Sequence, residues 1–153
     1  MSTVLYQCAL KGGLNIDERH NHSIYQGIDY AAKGLDAAVA WGYKDFRFSN
    51  PFDFPILISC SSGKGIVEGA IYATERPFDE VEIFTSNEKK QPFAVKTRQN
   101  TKLKQGEKKI VRHGVTGYTI EVHRNIKKDG DEKRKRVSKD CYLTFNQVEE
   151  VNN

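Results

Sequence analysis

Residues 55–73, PILISCSSGKGIVEGAIYA, decide the fold class of the first half of the chain. Two largely apolar runs, residues 55–60 and 65–73, flank a turn of small and polar residues at positions 61–65. From Ile66 to Tyr72, successive side chains point to opposite faces if the run is a β-strand, because strands have a period of two residues. The stretch therefore predicts an antiparallel β-hairpin.

The segment before this hairpin begins with a predicted helix over residues 2–12. Its apolar positions at helical spacing are Val4, Leu5, Cys8 and Ala9. Ser2 or Thr3 is a candidate cap for the first turn, and Gly12-Gly13 predicts the end of the helix. Further along, residues 37–41 predict a strand buried on both faces, and residues 46–48 predict a half-exposed strand.

The sequence of the second half of the chain predicts further strands, two of which are joined by a tight turn. Residues 81–84, 93–96 and 118–126 have β character, and Asp129-Gly130 predicts a hairpin turn that leads into a strand over residues 133–142. Large aliphatic residues are few in each strand, so we expect a thin, single-layer sheet. The prediction is an α+β fold that is mostly β: a short N-terminal helix packed on an antiparallel sheet, then an extended β-hairpin module.

Charge divides the chain at about the same place as composition does, just after Pro77. Residues 1–80 hold 7 Lys and Arg against 10 Asp and Glu, whereas residues 81–153 hold 17 against 10. The halves therefore carry net charges of −3 and +7. We predict two domains, residues 1–78 and 79–153, of which the second faces an anionic partner or keeps itself soluble through its charge.

Whole-chain features exclude several classes of protein. The chain has 153 residues, 38% of them hydrophobic, and lacks the apolar run of about 20 residues that spans a bilayer. The N-terminal residues lack a basic start followed by an apolar stretch and a small-residue cleavage site, so we expect no signal peptide within this chain. Three widely spaced cysteines, Cys8, Cys60 and Cys141, form no Cys-x-x-Cys pair, so we expect buried, inert thiols, no metal site and no cofactor. The sequence does not predict the oligomeric state.

Four blocks in the first half resemble the VanW-like (vancomycin-resistance W) family in order and spacing, over about residues 2–75. These blocks are residues 2–6 (STVLY), 18–23 (ERHNHS), 34–39 (GLDAAV) and 44–50 (KDFRFSN). The second half resembles the G-five module that commonly follows VanW-like regions. That resemblance depends on Gly106, Gly114, Gly117-Tyr118, Val122, Arg124 and Asp129-Gly130. Together the two resemblances imply an extracytoplasmic setting in the cell envelope and a partner in peptidoglycan or in an anionic wall polymer.

This chain departs from the family pattern at its first residue. In the family, Gly-Ile-Cys-Gln precedes the helix, whereas here the chain starts at Met1 and Cys8 lies two turns further in. We therefore expect an N-terminally truncated chain that is not catalytic as it stands. The alternative is that it is part of a Cys-His enzyme acting on cell-wall peptides, whose nucleophile lies upstream of Met1.

His20, His22 and Asp36 are the candidate catalytic residues under that alternative. A histidine beside a thiol at a helix amino end lowers the pKa of the thiol and serves as its base, and Asp36 would orient the ring. The same side chains, with Glu18, are a weak candidate zinc set. A third interpretation is purely structural: Arg19, His20 and Ser23 tie a strand to neighbouring loops through hydrogen bonds. The surrounding aromatic residues are either a sugar-stacking face or core: Trp41, Tyr43, Phe46 and Phe48.

A basic run flanks the predicted hairpin turn of the second half. The candidate binding residues are Lys127, Lys128, Lys133, Arg134, Lys135 and Arg136. They attract an anionic wall polymer or protect a solvated sheet edge from pairing with another sheet. We predict no nucleic-acid partner, because the run lacks both interleaved aromatic residues and a recognition helix.

Overall fold

A computed structural model of the chain describes residues 1–152 and contains one helix and ten strands. The elements are α1 (Ser2–Lys11), β1 (Asn15–Glu18), β2 (Arg47–Ser49), β3 (Ile56–Gly63), β4 (Ile66–Ala73), β5 (Glu80–Gln91), β6 (Val95–Gln99), β7 (Lys108–Arg112), β8 (Gly117–Lys128), β9 (Asp131–Tyr142) and β10 (Gln147–Val151). They form four small sheets, ordered β1-β2, β3-β4, β5-β8-β9 and β6-β10-β7. The predicted α+β, mostly β fold is confirmed. Within residues 1–152 no helical segment combines the length and apolar character that crossing a bilayer requires.

Helix α1 forms where it was predicted but buries a different face. Its buried residues are Thr3, Tyr6, Ala9 and Leu10. The prediction of a stripe through Val4, Leu5 and Cys8 is wrong, because the large Tyr6 and Leu10, one turn apart, turn the helix toward the core. No side chain caps the first turn.

The hydroxyls of Ser2 and Thr3 instead hold another segment of the chain. Ser2 Oγ donates to the carbonyl oxygen of Ala37 at 2.7 Å, and Thr3 Oγ1 lies 3.3 Å from the same oxygen. The Ala37 amide donates to Thr3 Oγ1 at 3.1 Å. These bonds fix residue 37 against the first turn of α1.

The β3–β4 hairpin confirms the central prediction from residues 55–73, with a shorter turn. Lys64 and Gly65 form a two-residue turn with φ of 51° and 77°, so Ser61 and Ser62 belong to the strand. Gly69 faces α1, because a Cβ there would lie 2.6 Å from the Val4 side chain. The hairpin therefore packs one face against the helix.

The β5-β8-β9 sheet is not the single layer that the sequence predicts. Asp129-Gly130 forms the predicted turn, with φ of 51° and 86°. Ile120 and Val122 are buried on one face of β8. Residues from the first half of the chain cover this face, and Gly34 lies directly against Val122. A thin sheet does occur in β6-β10-β7, where β6 pairs with β10 in parallel and both β6 and β7 are exposed.

Two predictions of buried residues are wrong. Residues 37–41 form no regular strand: Ala37 is buried, but Val39 and Trp41 are exposed. Their apolar character resembles that of a core strand, yet no strand pairs with them along their length. Cys60 and Cys141 are exposed thiols.

The core joins the two halves of the chain. Tyr6, Leu10 and Ala37 form its buried centre. Side chains from both halves pack around them: Ile16, Leu35, Phe46, Ile83 and Val137. The first half thus depends for its packing on strands β5 and β9.

Gly34 is a close point of contact between the two halves, and Gly34→Ala tests it. Its φ is 83°, and an added Cβ would lie 2.5 Å from Val122 Cγ2. We expect the free energy of unfolding to fall by about 2–4 kcal/mol, from left-handed backbone strain together with overpacking. Urea unfolding measures this loss.

Gly27→Ala is the matched control for Gly34→Ala. Gly27 has a similar φ of 72°, but nothing lies within 4 Å of the added Cβ. It should cost only the backbone strain, about 1–2 kcal/mol. Equal losses in the two variants would contradict the close approach of Gly34 to β8.

Candidate functional site

A cavity of about 890 Å³ lies at the amino end of α1. The helix forms one wall, the β3–β4 hairpin a second, and residues 37–39 a third. Among the side chains that line it are Thr3, Cys8, His22, Tyr30 and Glu68. The structure thus places His22 beside the first turn of the helix.

Asp36 holds the His22 ring in a defined orientation. His22 Nδ1 lies 2.7 Å from Asp36 Oδ2, and the His22 backbone amide donates to the same oxygen at 2.8 Å. In the tautomer that donates from Nδ1 to the carboxylate, the lone pair of the neutral ring lies on Nε2. The two contacts with Asp36 therefore fix the orientation of the His22 ring.

His20 does not join this pair. Its Nε2 lies 3.0 Å from Glu18 Oε1, at the end of β1. Strand β1 ends at Glu18, so residues 20 and 22 do not follow the alternation of a strand. Of the two candidate histidines, the structure brings His22 to Asp36 and leaves His20 with a different carboxylate.

Asp36 is fully buried and surrounded by donors. Tyr142 Oη donates to Asp36 Oδ1 at 2.5 Å, and Arg19 NH2 lies 3.2 Å from the same oxygen. Burial alone raises the pKa of Asp36, but hydrogen bonds from His22 and Tyr142 and the charge of Arg19 outweigh it. The pKa of Asp36 therefore lies below its usual value, and the carboxylate is ionised where it contacts His22.

Arg19 links Asp36 to a second buried carboxylate, on strand β9. Its NH1 lies 2.6 Å from Asp140 Oδ1. Its Nε donates to the Asp36 carbonyl at 2.7 Å, and its NH2 donates to the Gly34 carbonyl at 3.1 Å. Its guanidinium carbon lies 4.7 Å from the Tyr6 ring centre. Because its donors are satisfied on several sides, this cation is stable in the interior.

The two β9 residues of this network have raised pKa values. Burial raises the pKa of Asp140, and nearby Arg19 only partly offsets it. Burial, followed by the hydrogen bond to Asp36, raises the pKa of Tyr142 far above its usual value. Tyr142 is thus a hydrogen-bond donor throughout the physiological pH range. Its hydroxyl also accepts from the Gly34 amide at 2.7 Å.

Sequence reasoning missed Asp140 and Tyr142, and it named Arg19 only as one of the hydrogen-bonding residues of the structural interpretation. Asp140 and Tyr142 are more than 100 residues from Asp36 along the chain, and no local pattern marks them. A buried network between distant segments cannot be deduced from spacing.

The cavity already contains one thiol, that of Cys8, but its surroundings do not activate it. Burial, and then the proximity of Cys60, raises the pKa of Cys8. Cys8 lies in the middle of α1, away from the amino end that stabilises thiolates. The oriented His22 therefore faces a cavity in which the resident thiol stays protonated near neutral pH.

The six predicted basic residues divide between the two faces of the β8–β9 hairpin. Strand pairing places Lys128, Lys133 and Lys135 on the face that includes buried Arg124. Among residues 1–152, none of these three lysines has an ion-pair partner. Lys127, Arg134 and Arg136 lie on the opposite face.

The three residues of that opposite face have intramolecular partners. Lys127 Nζ pairs with Glu80 at 2.9 Å, and Arg136 NH1 with Glu121 at 3.3 Å. The Arg134 guanidinium lies 4.5 Å from the Phe84 ring centre. The basic charge that remains available to a partner is therefore that of Lys128, Lys133 and Lys135, which we call the lysine face.

The described part of the chain, residues 1–152, brings no three His, Cys, Asp or Glu side chains together in a way that suits a metal ion. His22 and Asp36 contact each other, whereas Glu18 contacts His20. The candidate zinc ligands named from the sequence therefore lie in two separate pairs.

Comparison with known proteins matches both halves of the chain. Residues 1–72 match the family model described as "VanW like protein", and residues 83–152 match that of the "G5 domain". A curated relative, "Uncharacterized protein YoaR" of Bacillus subtilis (strain 168), is 33% identical over 75 residues. The match covers 49% of this chain and 24% of that protein, so the chain spans about a quarter of the relative's length.

Two solved structures resemble about half of the chain. "IgA1 Protease G5 domain structure" is 20% identical with a TM-score of 0.35, covering 49% of this chain and 94% of that one. "Crystal structure of HP0197-G5" is 17% identical with a TM-score of 0.28, covering 48% and 99% respectively.

Asp36→Asn tests the buried network that supports His22. We expect the free energy of unfolding at neutral pH to fall by about 3–5 kcal/mol, because Arg19 loses a buried counter-charge. The folded pKa of Asp36 is depressed, so its stabilisation is present above the unfolded pKa of about 3.9 and is lost as pH falls through the folded value. The difference between wild type and variant should therefore shrink in acid. Urea unfolding at a series of pH values measures it.

Asp29→Asn provides the control for this prediction. Asp29 is exposed and should have little effect on unfolding at any pH. A loss in Asp36→Asn that stays constant from neutral pH into acid would contradict the assignment of an ionised, hydrogen-bonded Asp36.

Proposed function

Because the chain carries a VanW-like domain at residues 1–72 and a G5 domain at residues 83–152, we propose that it is an extracytoplasmic module of the cell envelope. In this proposal it associates with peptidoglycan or with the anionic polymers of the wall. Both domain types are typical of envelope and cell-wall proteins. The observation that carries the proposal is the lysine face, Lys128, Lys133 and Lys135, in the basic second half.

Unpaired lysines on one face of a hairpin suit a polymer of phosphate or carboxylate groups. Each ammonium gains by approaching an anion, and no internal carboxylate has to be displaced first, in contrast to Lys127 and Arg136. At physiological ionic strength, salt weakens such exposed contacts and largely screens charges that are more than about 8–10 Å apart. Binding should therefore be tunable by salt and insensitive to the detailed structure of the polymer.

The triple variant Lys128→Gln, Lys133→Gln, Lys135→Gln tests this function. Each exposed charge contact contributes about 0.5 kcal/mol, so the loss of three should weaken retention on purified sacculi about tenfold. Co-sedimentation with sacculi at low and physiological salt measures it. Wild-type retention should fall as salt rises.

The variant Lys102→Gln, Lys104→Gln, Lys108→Gln removes the same charge from another exposed part of the second half. If its retention falls as much as that of the lysine-face variant, net charge and not the lysine face is responsible. Undiminished retention of the lysine-face variant would reject the proposed binding surface.

The His22–Asp36 pair favours a second candidate function, thiol-dependent cleavage or transfer at a wall-peptide bond. A thiolate at the start of α1 would lie at the positive end of the helix dipole, beside His22. His22 Nε2 would take the proton of the thiol, and the thiolate would attack the amide carbonyl, forming a C–S bond. The same proton would pass to the departing amine as the C–N bond breaks. Water or an acceptor amine would then displace the thiol from the thioester. Asp36 would hold the ring throughout.

An extended variant tests this candidate. Gly-Ile-Cys-Gln is added before Met1, and Cys8, Cys60 and Cys141 are changed to Ser so that one thiol remains. We expect the pH dependence of iodoacetamide alkylation to show a thiol pKa at least one unit below the usual value of about 8.5.

Two further changes in that background assign the effect. His22→Ala should return the alkylation profile of the added thiol to that of a free cysteine, whereas His20→Ala should leave it lowered. A thiol with an ordinary pKa in the His22-containing protein would eliminate the enzyme candidate, and it would leave the binding proposal intact.

A further inference from the structure

The loop of residues 40–44 is a closed turn that presents two aromatic side chains. The Ala40 amide donates to the Lys44 carbonyl at 3.0 Å, and the Lys44 amide donates back to the Ala40 carbonyl at 2.9 Å. Gly42 occupies the tip with a φ of 76°. These bonds close the backbone of the loop, from which the side chains of Trp41 and Tyr43 project.

Both aromatic side chains of this loop lie in solvent. Trp41 is 100% exposed and Tyr43 is 89% exposed. The two aromatic residues that follow are different, because Phe46 packs against Tyr6 with ring centres 5.8 Å apart and Phe48 packs against Phe46 at 5.3 Å. The four aromatics thus divide into two that build the core and two that face outward. A fixed loop that exposes a Trp and a Tyr is typical of a binding surface.

We propose that Trp41 and Tyr43 form a glycan-binding tip, on which the sugar rings of a polysaccharide stack. The proposal rests on the envelope function above, since the polymer it implies is the glycan strand of the wall. Sugar rings have apolar C–H faces that match an aromatic plane, and hydroxyl edges that need hydrogen-bond partners. The loop provides both kinds of group.

The polar groups beside the tip fit an uncharged sugar better than an anionic lipid surface. Arg47 lies 3.1 Å from Asp45 and 3.4 Å from Glu18, so the cation is already balanced by two carboxylates. Lys44 is the remaining cation at the tip. With Lys44, these four charges sum to zero, so the tip has no net positive charge to attract an anionic lipid surface, and the carboxylate oxygens accept hydrogen bonds from hydroxyls.

The tip lies next to the cavity that contains His22. Val39 lines that cavity and also lines the cleft of about 650 Å³ formed by residues 39–45 and Arg47. In this proposal a polymer made of a sugar strand with peptide branches contacts the tip through its sugars and the neighbouring cavity through a peptide. Trp41 then has a role in positioning the ligand, distinct from the charge attraction of the lysine face.

The chain's single tryptophan makes the proposal directly measurable. Titrating the whole protein with soluble N-acetylglucosamine oligomers should shift the Trp41 emission to shorter wavelength and saturate. Tyr43→Ala should weaken this binding at least about fivefold, from loss of one stacking partner at about 1 kcal/mol. Tyr72→Ala, which removes an exposed tyrosine from the β3–β4 hairpin, is the control and should leave the titration unchanged.

Calorimetry extends the test to variants without the fluorophore. Trp41→Ala should abolish measurable oligomer binding, and Trp41→Phe should restore part of it. Both variants should keep the wild-type unfolding midpoint because the side chain is unburied.

Emission that does not change at millimolar oligomer, or binding that survives Trp41→Ala, would overturn the proposal. So would a shift seen with phosphatidylglycerol vesicles and absent with oligomers. Since these oligomers carry neither peptide nor charge, failure here leaves the sacculus result with the lysine-face variant to decide the envelope function separately.

Discussion

The burial of the Arg19 guanidinium is the constraint on which the rest of this structure depends. A cation removed from water costs several kcal/mol unless its donors and its charge are both satisfied. Here Asp36 and Asp140 supply the charge, and the carbonyl oxygens of Gly34 and Asp36 accept further hydrogen bonds. These partners come from the loop after β1 and from β9, so the guanidinium is stable only when both are in place. One side chain thereby ties the region that matches the VanW-like model to strand β9, in the region that matches the G5 model.

The regions that match the two family models are joined by buried contacts. The family matches meet between residues 72 and 83, and the predicted division at residue 78 stays a prediction. The buried contacts nevertheless cross that division, because Tyr142 donates to Asp36 and Arg124 NH1 donates to the Leu14 carbonyl at 2.7 Å. The orientation of His22 rests on Asp36, which in turn rests on Tyr142. The environment of the cavity is therefore built by residues from both regions.

The features that sequence reasoning predicted well are those determined locally. Asp129-Gly130 forms its turn because glycine accepts the positive φ, and the residues 55–73 hairpin forms because alternation and turn chemistry agree. The errors share another cause. Residues 37–41 are apolar enough for a core strand, but whether an apolar segment is buried depends on a partner strand that composition does not reveal. The run from Lys133 to Arg136 appears as one patch in the sequence, yet strand alternation sends its members to opposite faces.

The candidate site was also only partly predictable from the sequence, because its contacts join distant segments of the chain. Family resemblance drew attention to His20, His22 and Asp36, but not to which histidine meets the carboxylate, nor to the contacts that Arg19, Asp140 and Tyr142 make. Those three act across more than 100 residues of chain, where packing alone determines proximity.

Strand β9 has a double role, because Lys133 and Lys135 lie on the strand that also carries Asp140 and Tyr142. A polymer that binds the lysine face and pulls β9 away from the first domain would have to break the Arg19–Asp140 contact and free Asp36 from Tyr142. The energetic cost of burying Arg19 without its partner opposes that movement, so the network that orients His22 also keeps the β8–β9 hairpin attached to the residues around the cavity.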